Sequence, residues 1–168
     1  MTHLYKAIFV VAALGLGACT NPDQLAGNGA GAGTGAVGSV DPAQNPNSPA
    51  YFSQTIGDRV LFAVDTSTLT PEGRATLTAQ AGWLQANPEY AAIIEGHADE
   101  QGTRAYNLAL GARRANAVSE FLVSQGIASN RLRTLTYGKE RPLEVCSAEA
   151  CYAKNRRAVT VISAGAGV

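Results

Sequence analysis

The architecture is clearest in residues 91–122, which read AAIIEGHADEQGTRAYNLALGARRANAVSEFL. The apolar run at residues 91–96 has the length and composition of a buried β-strand. A polar loop follows, and apolar residues then recur at the spacing of one helix face: Leu108, Ala115, Val118 and Leu122. Gly126 is placed to cap the end of this helix. A strand, a loop and an amphipathic helix in this order indicate a layered α/β domain.

The flanking sequence continues the alternation of strands and helices. Thr70 as the N-cap and Pro71 at the first helical position predict a helix start, and Asn87 followed by proline stops that helix. A short helix is predicted over residues 148–154. Further strands are predicted at residues 59–64, which we expect to be buried, at 132–137 and at 158–162. We therefore predict one domain over residues 51–164, followed by a flexible tail at 165–168.

Length and charge exclude several classes of protein. The chain has 168 residues and a mass of 17.4 kDa, which is enough for one domain. Its 13 basic and 13 acidic residues cancel, which argues against a nucleic-acid binder that relies on excess positive charge. No apolar run approaches the roughly 18–20 residues that a membrane-spanning helix needs.

The first nineteen residues have the pattern of an export signal. An uncharged run at residues 7–18 follows Lys6, as in a secretory signal peptide. It ends in LGAC, residues 16–19, which resembles a bacterial lipobox and implies cleavage and acylation at Cys19. We expect a signal peptide at 1–18 and anchoring in a membrane through acyl chains on Cys19. A plain secretory signal with a chance cysteine is the alternative. By the same resemblance, Thr20 favours the outer membrane.

Residues 19–50 are predicted to be a disordered linker that carries the lipidated cysteine at its start. They include two charged residues, no aromatic residue, and four of the seven prolines of the chain. Six glycines lie between Gly27 and Gly38. Such a segment cannot bury enough apolar surface to offset its ordering entropy. An ordered loop packed on the domain is the alternative.

The densest polar segment lies between the second predicted strand and its helix. Asp99 precedes the helix, and Arg114 shares a helix face with Leu110. A carboxylate and a guanidinium near one strand end could hold a zwitterion, because each charge takes its opposite through charge-assisted hydrogen bonds. On charge alone, a structural salt bridge between Asp99 and Arg114 is the favoured explanation of the pair.

A family resemblance favours the binding interpretation. Residues 95–118 closely resemble the signature of OmpA-like peptidoglycan-binding domains, most of all those of the peptidoglycan-associated lipoprotein family. RVLFAVD at 59–65, YGKERP at 137–142 and KNRRAV at 154–159 resemble further motifs of that family, in the same order. The resemblance implies a two-layer α/β sandwich, with a four-stranded mixed sheet, two main helices and a short third helix.

The resemblance also implies a ligand and its contacts. This family binds the meso-diaminopimelate of the peptidoglycan stem peptide, whose side chain ends in an ammonium and a carboxylate. We expect Asp99 to accept from the ammonium and Arg114 to bind the carboxylate. Gln101 departs from the arginine found in many relatives, which puts one ionic contact in doubt. The complete predicted site is Val64, Asp65, Asp99, Gln101, Thr103, Asn107, Leu110 and Arg114.

Other polar residues receive plainer interpretations. His97 beside Asp99 could suggest a metal or acid–base site, but no second ligand cluster is visible, so we expect a structural histidine and neither metal nor cofactor. Arg156 and Arg157 are interpreted as solvated or structural charges, and Trp83 as core or boundary packing. Export places Cys146 and Cys151 in an oxidising compartment, where we expect a disulfide.

The function implied by the resemblance is non-enzymatic. We expect an outer-membrane lipoprotein with its domain in the periplasm, which ties the membrane to peptidoglycan as part of the Tol–Pal system and serves envelope integrity and cell division. TolB, and TolA with less support, are the implied protein partners; no nucleic acid is expected. Two rivals remain: a peptidoglycan-processing enzyme using His97, Asp99 or Glu100, and a structural lipoprotein that does not bind the wall.

Overall fold

The computed structural model of the protein describes residues 41–164. The predicted signal peptide, Cys19, most of the predicted linker and the predicted tail lie outside these residues. Within them, no helix is long and apolar enough to cross a membrane.

Four strands form one mixed sheet. They are β1 (Arg59–Leu61), β2 (Tyr90–His97), β3 (Leu132–Gly138) and β4 (Arg157–Ala164), in the order β1-β4-β2-β3. β4 runs antiparallel to β1 and β2, whereas β2 and β3 are parallel. The helix between β2 and β3 makes the crossover that a parallel pair requires.

Within the described residues, three α-helices of more than one turn accompany the sheet: α1 (Pro71–Ala86), α2 (Arg104–Ser124) and α3 (Glu149–Asn155). The predicted start of α1 is confirmed, because the Thr70 hydroxyl accepts a hydrogen bond from the Gly73 amide at 3.0 Å. The predicted α/β fold with its mixed four-stranded sheet is likewise confirmed. Single helical turns also occur at Pro42–Gln44, Pro49–Tyr51 and Ser129–Arg131, and a π-helix at Phe52–Gly57.

The core lies between the helices and one face of the sheet. Its most deeply buried apolar side chains are Phe52, Leu77, Leu84, Ile94, Val118 and Leu122. α2 approaches β2 closely where Gly96 meets Gly111, since a Cβ atom on Gly96 would lie 1.8 Å from the Gly111 carbonyl oxygen. This contact brings the first half of α2 against the end of β2.

The prediction of a buried strand over residues 59–64 is wrong in length. β1 ends at Leu61, and the chain then turns, with Asp65 in a left-handed conformation at φ 54°. Val64 is 56% exposed. The apolar run is therefore a short edge strand followed by a turn.

The ordered part of the chain begins before residue 51. Ser48 caps the helical turn at Pro49–Tyr51, with its hydroxyl accepting from the Tyr51 amide at 3.0 Å. Farther back, the indole of Trp83 donates to the Pro46 carbonyl at 2.6 Å. Trp83 is buried, stacks on Tyr90 and packs at a tilted angle against Phe52, as expected of a packing residue. Residues 41–50, which the sequence places in the linker, thus contact the domain.

Candidate functional site

An open cleft lies where the end of β2, the turn after β1 and the start of α2 meet. It encloses about 450 Å³ of empty space that is continuous with solvent. Six of the eight predicted site residues line it: Val64, Asp65, Asp99, Gln101, Asn107 and Leu110. Gly102 and Tyr106, which sequence reasoning did not single out, complete the lining.

The loop at residues 99–103 forms one wall of the cleft. Asp99 Oδ1 accepts from the Gln101 amide at 3.2 Å, and buried Asn107 donates to the Gln101 carbonyl at 2.8 Å. Thr103 caps α2, with its hydroxyl accepting from the Tyr106 amide at 3.2 Å. The Thr103 side chain therefore shapes the loop but does not line the cleft.

A lysine outside the predicted site also holds this loop. Lys139, which follows β3, donates to the carbonyl of Gly102 at 2.7 Å and to that of Glu100 at 3.3 Å. Gly102 adopts φ +89°, a conformation that side-chain-bearing residues rarely accept. The YGK motif thus fixes the backbone on which the cleft is built.

Arg114 lies beneath the cleft and not on its surface. Its side chain is fully buried, and its guanidinium donates to the carbonyls of Thr66 at 2.8 Å, His97 at 2.8 Å and Ala63 at 3.2 Å. The guanidinium carbon also lies 5.2 Å from the centre of the Phe62 ring. These bonds join the turn after β1 to the end of β2, so Arg114 ties two walls of the cleft together.

Burial destabilises the charged form of the Arg114 side chain. Burial lowers its pKa to about 10, against the opposing field of Asp99. Among residues 41–164, no carboxylate forms a salt bridge with it. Its partners are neutral carbonyl oxygens, and a guanidinium has five N–H donors. Among the described residues, this buried cation beneath the cleft therefore has no paired anion.

Asp99 is paired with a different arginine from the one considered in the sequence. Its Oδ2 accepts from Arg156 Nη1 at 3.2 Å, and both side chains are almost buried. Arg156 also forms a short ion pair with the more exposed Glu149 and donates to the Phe62 carbonyl at 3.3 Å. These contacts raise the pKa of Arg156, with the Glu149 hydrogen bond as the largest cause, and lower the pKa of Glu149.

The structure decides two interpretations that the sequence left open. Within the described residues, Asp99 and Arg114 do not form the structural salt bridge that the sequence offered as an alternative. Asp99 forms its salt bridge with Arg156 instead. Of the two interpretations of Arg156, as a solvated or as a structural charge, the structural one is confirmed, since its side chain is 6% exposed and pairs with Asp99. Asp99 and Arg156 are 57 residues apart, so no local spacing could have paired them.

Tyr106 bridges the mouth of the cleft. Its hydroxyl donates a short hydrogen bond to Asp65 Oδ1, which joins α2 to the turn after β1. This bond raises the pKa of Tyr106. Tyr106 lies within the motif at residues 95–118. Because it carries no charge, the argument from opposite charges did not identify it as a site residue.

His97 is a buried neutral side chain. Burial lowers its pKa to about 4, and Arg157 and Arg141 add to the effect. Neither ring nitrogen has a hydrogen-bond partner in the described part of the chain. Glu95 Oε2 is 3.7 Å from Nε2, which is too far for a hydrogen bond that would hold a proton there. Across residues 41–164, no three His, Cys, Asp or Glu side chains cluster as a metal site would require.

The two later cysteines form a disulfide, Cys146–Cys151, with their Cα atoms 5.9 Å apart. The bridge closes a six-residue loop that contains Glu149, the first residue of α3. Ser147 in the same loop donates to Glu100 Oε1 at 3.4 Å. The disulfide loop thus contacts neighbours of the cleft residues: Ser147 contacts Glu100 in the loop at residues 99–103, and Glu149 contacts Arg156, the partner of Asp99.

Comparison with known proteins identifies the family. The sequence model of the OmpA family matches residues 61–156. A peptidoglycan-associated lipoprotein of Brucella melitensis is 47% identical over 96% of this chain and 92% of its own length. The chain belongs to the OmpA family, among the peptidoglycan-associated lipoproteins.

Other relatives agree with this assignment. The peptidoglycan-associated lipoprotein of Rhizobium meliloti is 48% identical over 95% of this chain and 88% of its own. The crystal structure of the peptidoglycan-associated lipoprotein from Burkholderia pseudomallei superposes with a TM-score of 0.64 and 36% identity, covering 73% of this chain and all of that one. The C-terminal domain of Helicobacter pylori MotB shares the fold, with a TM-score of 0.60 at 21% identity. The match covers 65% of this chain and 86% of that one.

Proposed function

We propose that this protein is an outer-membrane lipoprotein that binds peptidoglycan non-covalently and tethers the membrane to the wall. The names of its relatives and the lipobox-like sequence at Cys19 support the general role. The single observation that carries the ligand assignment is the charge arrangement of the cleft. A buried, unpaired Arg114 lies below it, while Asp65 and Asp99 line it.

This arrangement suits a ligand that carries both charges. The side chain of meso-diaminopimelate ends in a carboxylate and an ammonium a short distance apart. We propose that the carboxylate binds over Arg114 and the ammonium binds Asp99. Because Arg114 is fully buried, the exposed turn at residues 63–66 has to shift so that the carboxylate replaces a carbonyl. Gln101, at the rim, supplies polar rather than ionic contact.

Co-sedimentation with purified cell walls tests wall binding and its charge requirement. Full chain in detergent micelles is expected to pellet with diaminopimelate-type sacculi and to stay in solution with lysine-type sacculi. Asp99→Asn and Arg114→Gln, which each remove one charge, should each weaken binding at least ten-fold, since a charge-assisted hydrogen bond contributes about 1.5–3 kcal/mol. Glu89→Gln and Arg133→Ala, which alter exposed charges of the same types, are matched controls. Equal pelleting of wild type and Asp99→Asn would contradict the proposal.

Membrane anchoring is proposed to depend on Cys19 and its neighbour. Several acyl chains give stable attachment where one chain does not. Cys19→Ala should move the protein from the membrane fraction to the soluble periplasmic fraction. Thr20→Asp should shift it from the outer to the inner membrane. An unchanged distribution in Cys19→Ala would contradict lipid anchoring at this residue.

We also propose membership of the Tol–Pal system, with TolB as the partner in the periplasm, TolA as a further contact and a role in cell division. Family membership supports this part. If TolB competes for the cleft, a diaminopimelate muropeptide should displace purified TolB from the immobilised protein. Retention of TolB at saturating muropeptide would place its contact elsewhere.

A further inference from the structure

Arg156 is shared unequally between two carboxylates. Glu149 makes a short ion pair with Nη2 and a second contact of 3.4 Å to Nη1, whereas Asp99 makes one contact of 3.2 Å to Nη1. Glu149 therefore makes two contacts with the guanidinium, including the shortest one, whereas Asp99 makes one. A single positive charge balances one of the two carboxylates, and the group of three side chains keeps a net charge of −1.

This sharing determines how much negative charge Asp99 offers to the cleft. Asp99 lines the cleft, while Glu149 does not. If Glu149 were absent, Arg156 would neutralise Asp99 alone, and an approaching ammonium would meet a neutral pair. We propose that Glu149 and Arg156 are positioning residues that orient the Asp99 carboxylate and leave its surroundings with a net negative charge, and so set the affinity for the ligand ammonium. The inference rests on the proposed function.

The disulfide belongs to the same arrangement. Glu149 lies inside the loop that Cys146 and Cys151 close, and a closed short loop restricts the positions its residues can adopt. Glu149 is otherwise an exposed side chain, 67% open to solvent, whose pairing with Arg156 would be weakened by mobility. The disulfide therefore acts on the cleft at a distance, by holding Glu149 against Arg156.

The test uses Glu149→Gln, which keeps the shape of the side chain and removes its charge. Titration calorimetry of the full chain in detergent micelles should show affinity for a diaminopimelate muropeptide reduced roughly three- to ten-fold, as expected for one charge acting through a partly solvated path. Removing both cysteines, in Cys146→Ser with Cys151→Ser, should give a smaller reduction in the same direction. Glu144→Gln is the matched control, since Glu144 lies two residues before the disulfide loop and pairs with Lys154 at 3.1 Å instead of with Arg156.

Two further titrations separate this role from a merely structural one. The same muropeptide with its side-chain amine acetylated should bind wild type and Glu149→Gln equally, although more weakly. In an Asp99→Asn background, Glu149→Gln should have no further effect. A loss of equal size with either ligand, or in the Asp99→Asn background, would overturn the inference, as would unchanged affinity in Glu149→Gln. Absence of binding by wild type would instead overturn the proposed function, and the inference with it.

Discussion

Substituting Gly96 by alanine tests the contact that places α2 over the sheet. An added Cβ would lie 1.8 Å from the Gly111 carbonyl oxygen, 2.6 Å from its carbonyl carbon and 3.2 Å from the Ala115 Cβ. The first two are backbone atoms of a helix, so no side-chain rotation can relieve the overlap. α2 must move away by roughly 1 Å, and we expect a destabilisation of about 3 kcal/mol, at the upper end for an overpacked core.

Gly82→Ala is the matched control. Gly82 lies inside α1. Apart from its two chain neighbours and the nearby backbone of its own helix, no heavy atom would lie within 4 Å of an added Cβ. Alanine there should stabilise the protein by about 1 kcal/mol, because it restricts the unfolded chain and favours the helix. The same chemical change is therefore expected to have opposite signs at the two glycines.

Thermal and urea unfolding followed by circular dichroism measure both variants. Gly96→Ala should lower the Tm by about 12 °C, and Gly82→Ala should raise it by about 4 °C, from the usual relation between stability and Tm for a domain of this size. Gly96→Ala should also weaken muropeptide binding, since α2 carries Asn107, Leu110 and Arg114. An unchanged Tm in Gly96→Ala would refute the close approach of α2 to β2.

Three further predictions concern stability. Burial holds His97 neutral with a pKa of about 4, whereas a histidine in the unfolded chain titrates near 6.5. The free energy of unfolding should therefore fall by about 3 kcal/mol as the pH drops from 7 to 4. Urea unfolding of His97→Leu should lack this component of the pH dependence. Deleting residues 41–48 should remove the Pro46 carbonyl from Trp83, which is the only tryptophan, and shift its fluorescence to longer wavelength. Replacing Cys146 and Cys151 by serine should lower stability by about 2 kcal/mol in urea titrations, because the closed loop is short.

The local signals in the sequence predicted the regular elements well. Thr70 and Pro71 mark the start of α1 because capping depends on neighbouring residues alone. The apolar stripe of α2 is equally local, and Ala115, Val118 and Leu122 are all buried. The predicted length of the strand at residues 59–64 was wrong because an apolar run does not show that the chain turns at Asp65. It also does not show that β1 lies at the edge of the sheet.

The sequence predicted most of the residues that line the candidate cleft, and the residues it did not predict share a cause. Six predicted residues line one cleft because they follow strand ends that the fold brings together. Arg156 was missed because its partner Asp99 comes from a distant part of the chain. Glu149 was missed since it acts through Arg156 and does not line the cleft itself. Pairings of this kind depend on the tertiary structure and leave no spacing to recognise.

The most direct test is whether the cleft distinguishes ligands by the carboxylate at the end of the stem-peptide side chain. Calorimetric titration would compare a diaminopimelate muropeptide with an otherwise identical lysine muropeptide, which keeps the ammonium and lacks that carboxylate. We predict measurable binding of the diaminopimelate form and at least ten-fold weaker binding of the lysine form, with the difference lost in Arg114→Gln, which removes the positive charge. Equal affinity for the two ligands in the folded wild-type protein would contradict the assignment of Arg114 and of the cleft as the wall-binding site.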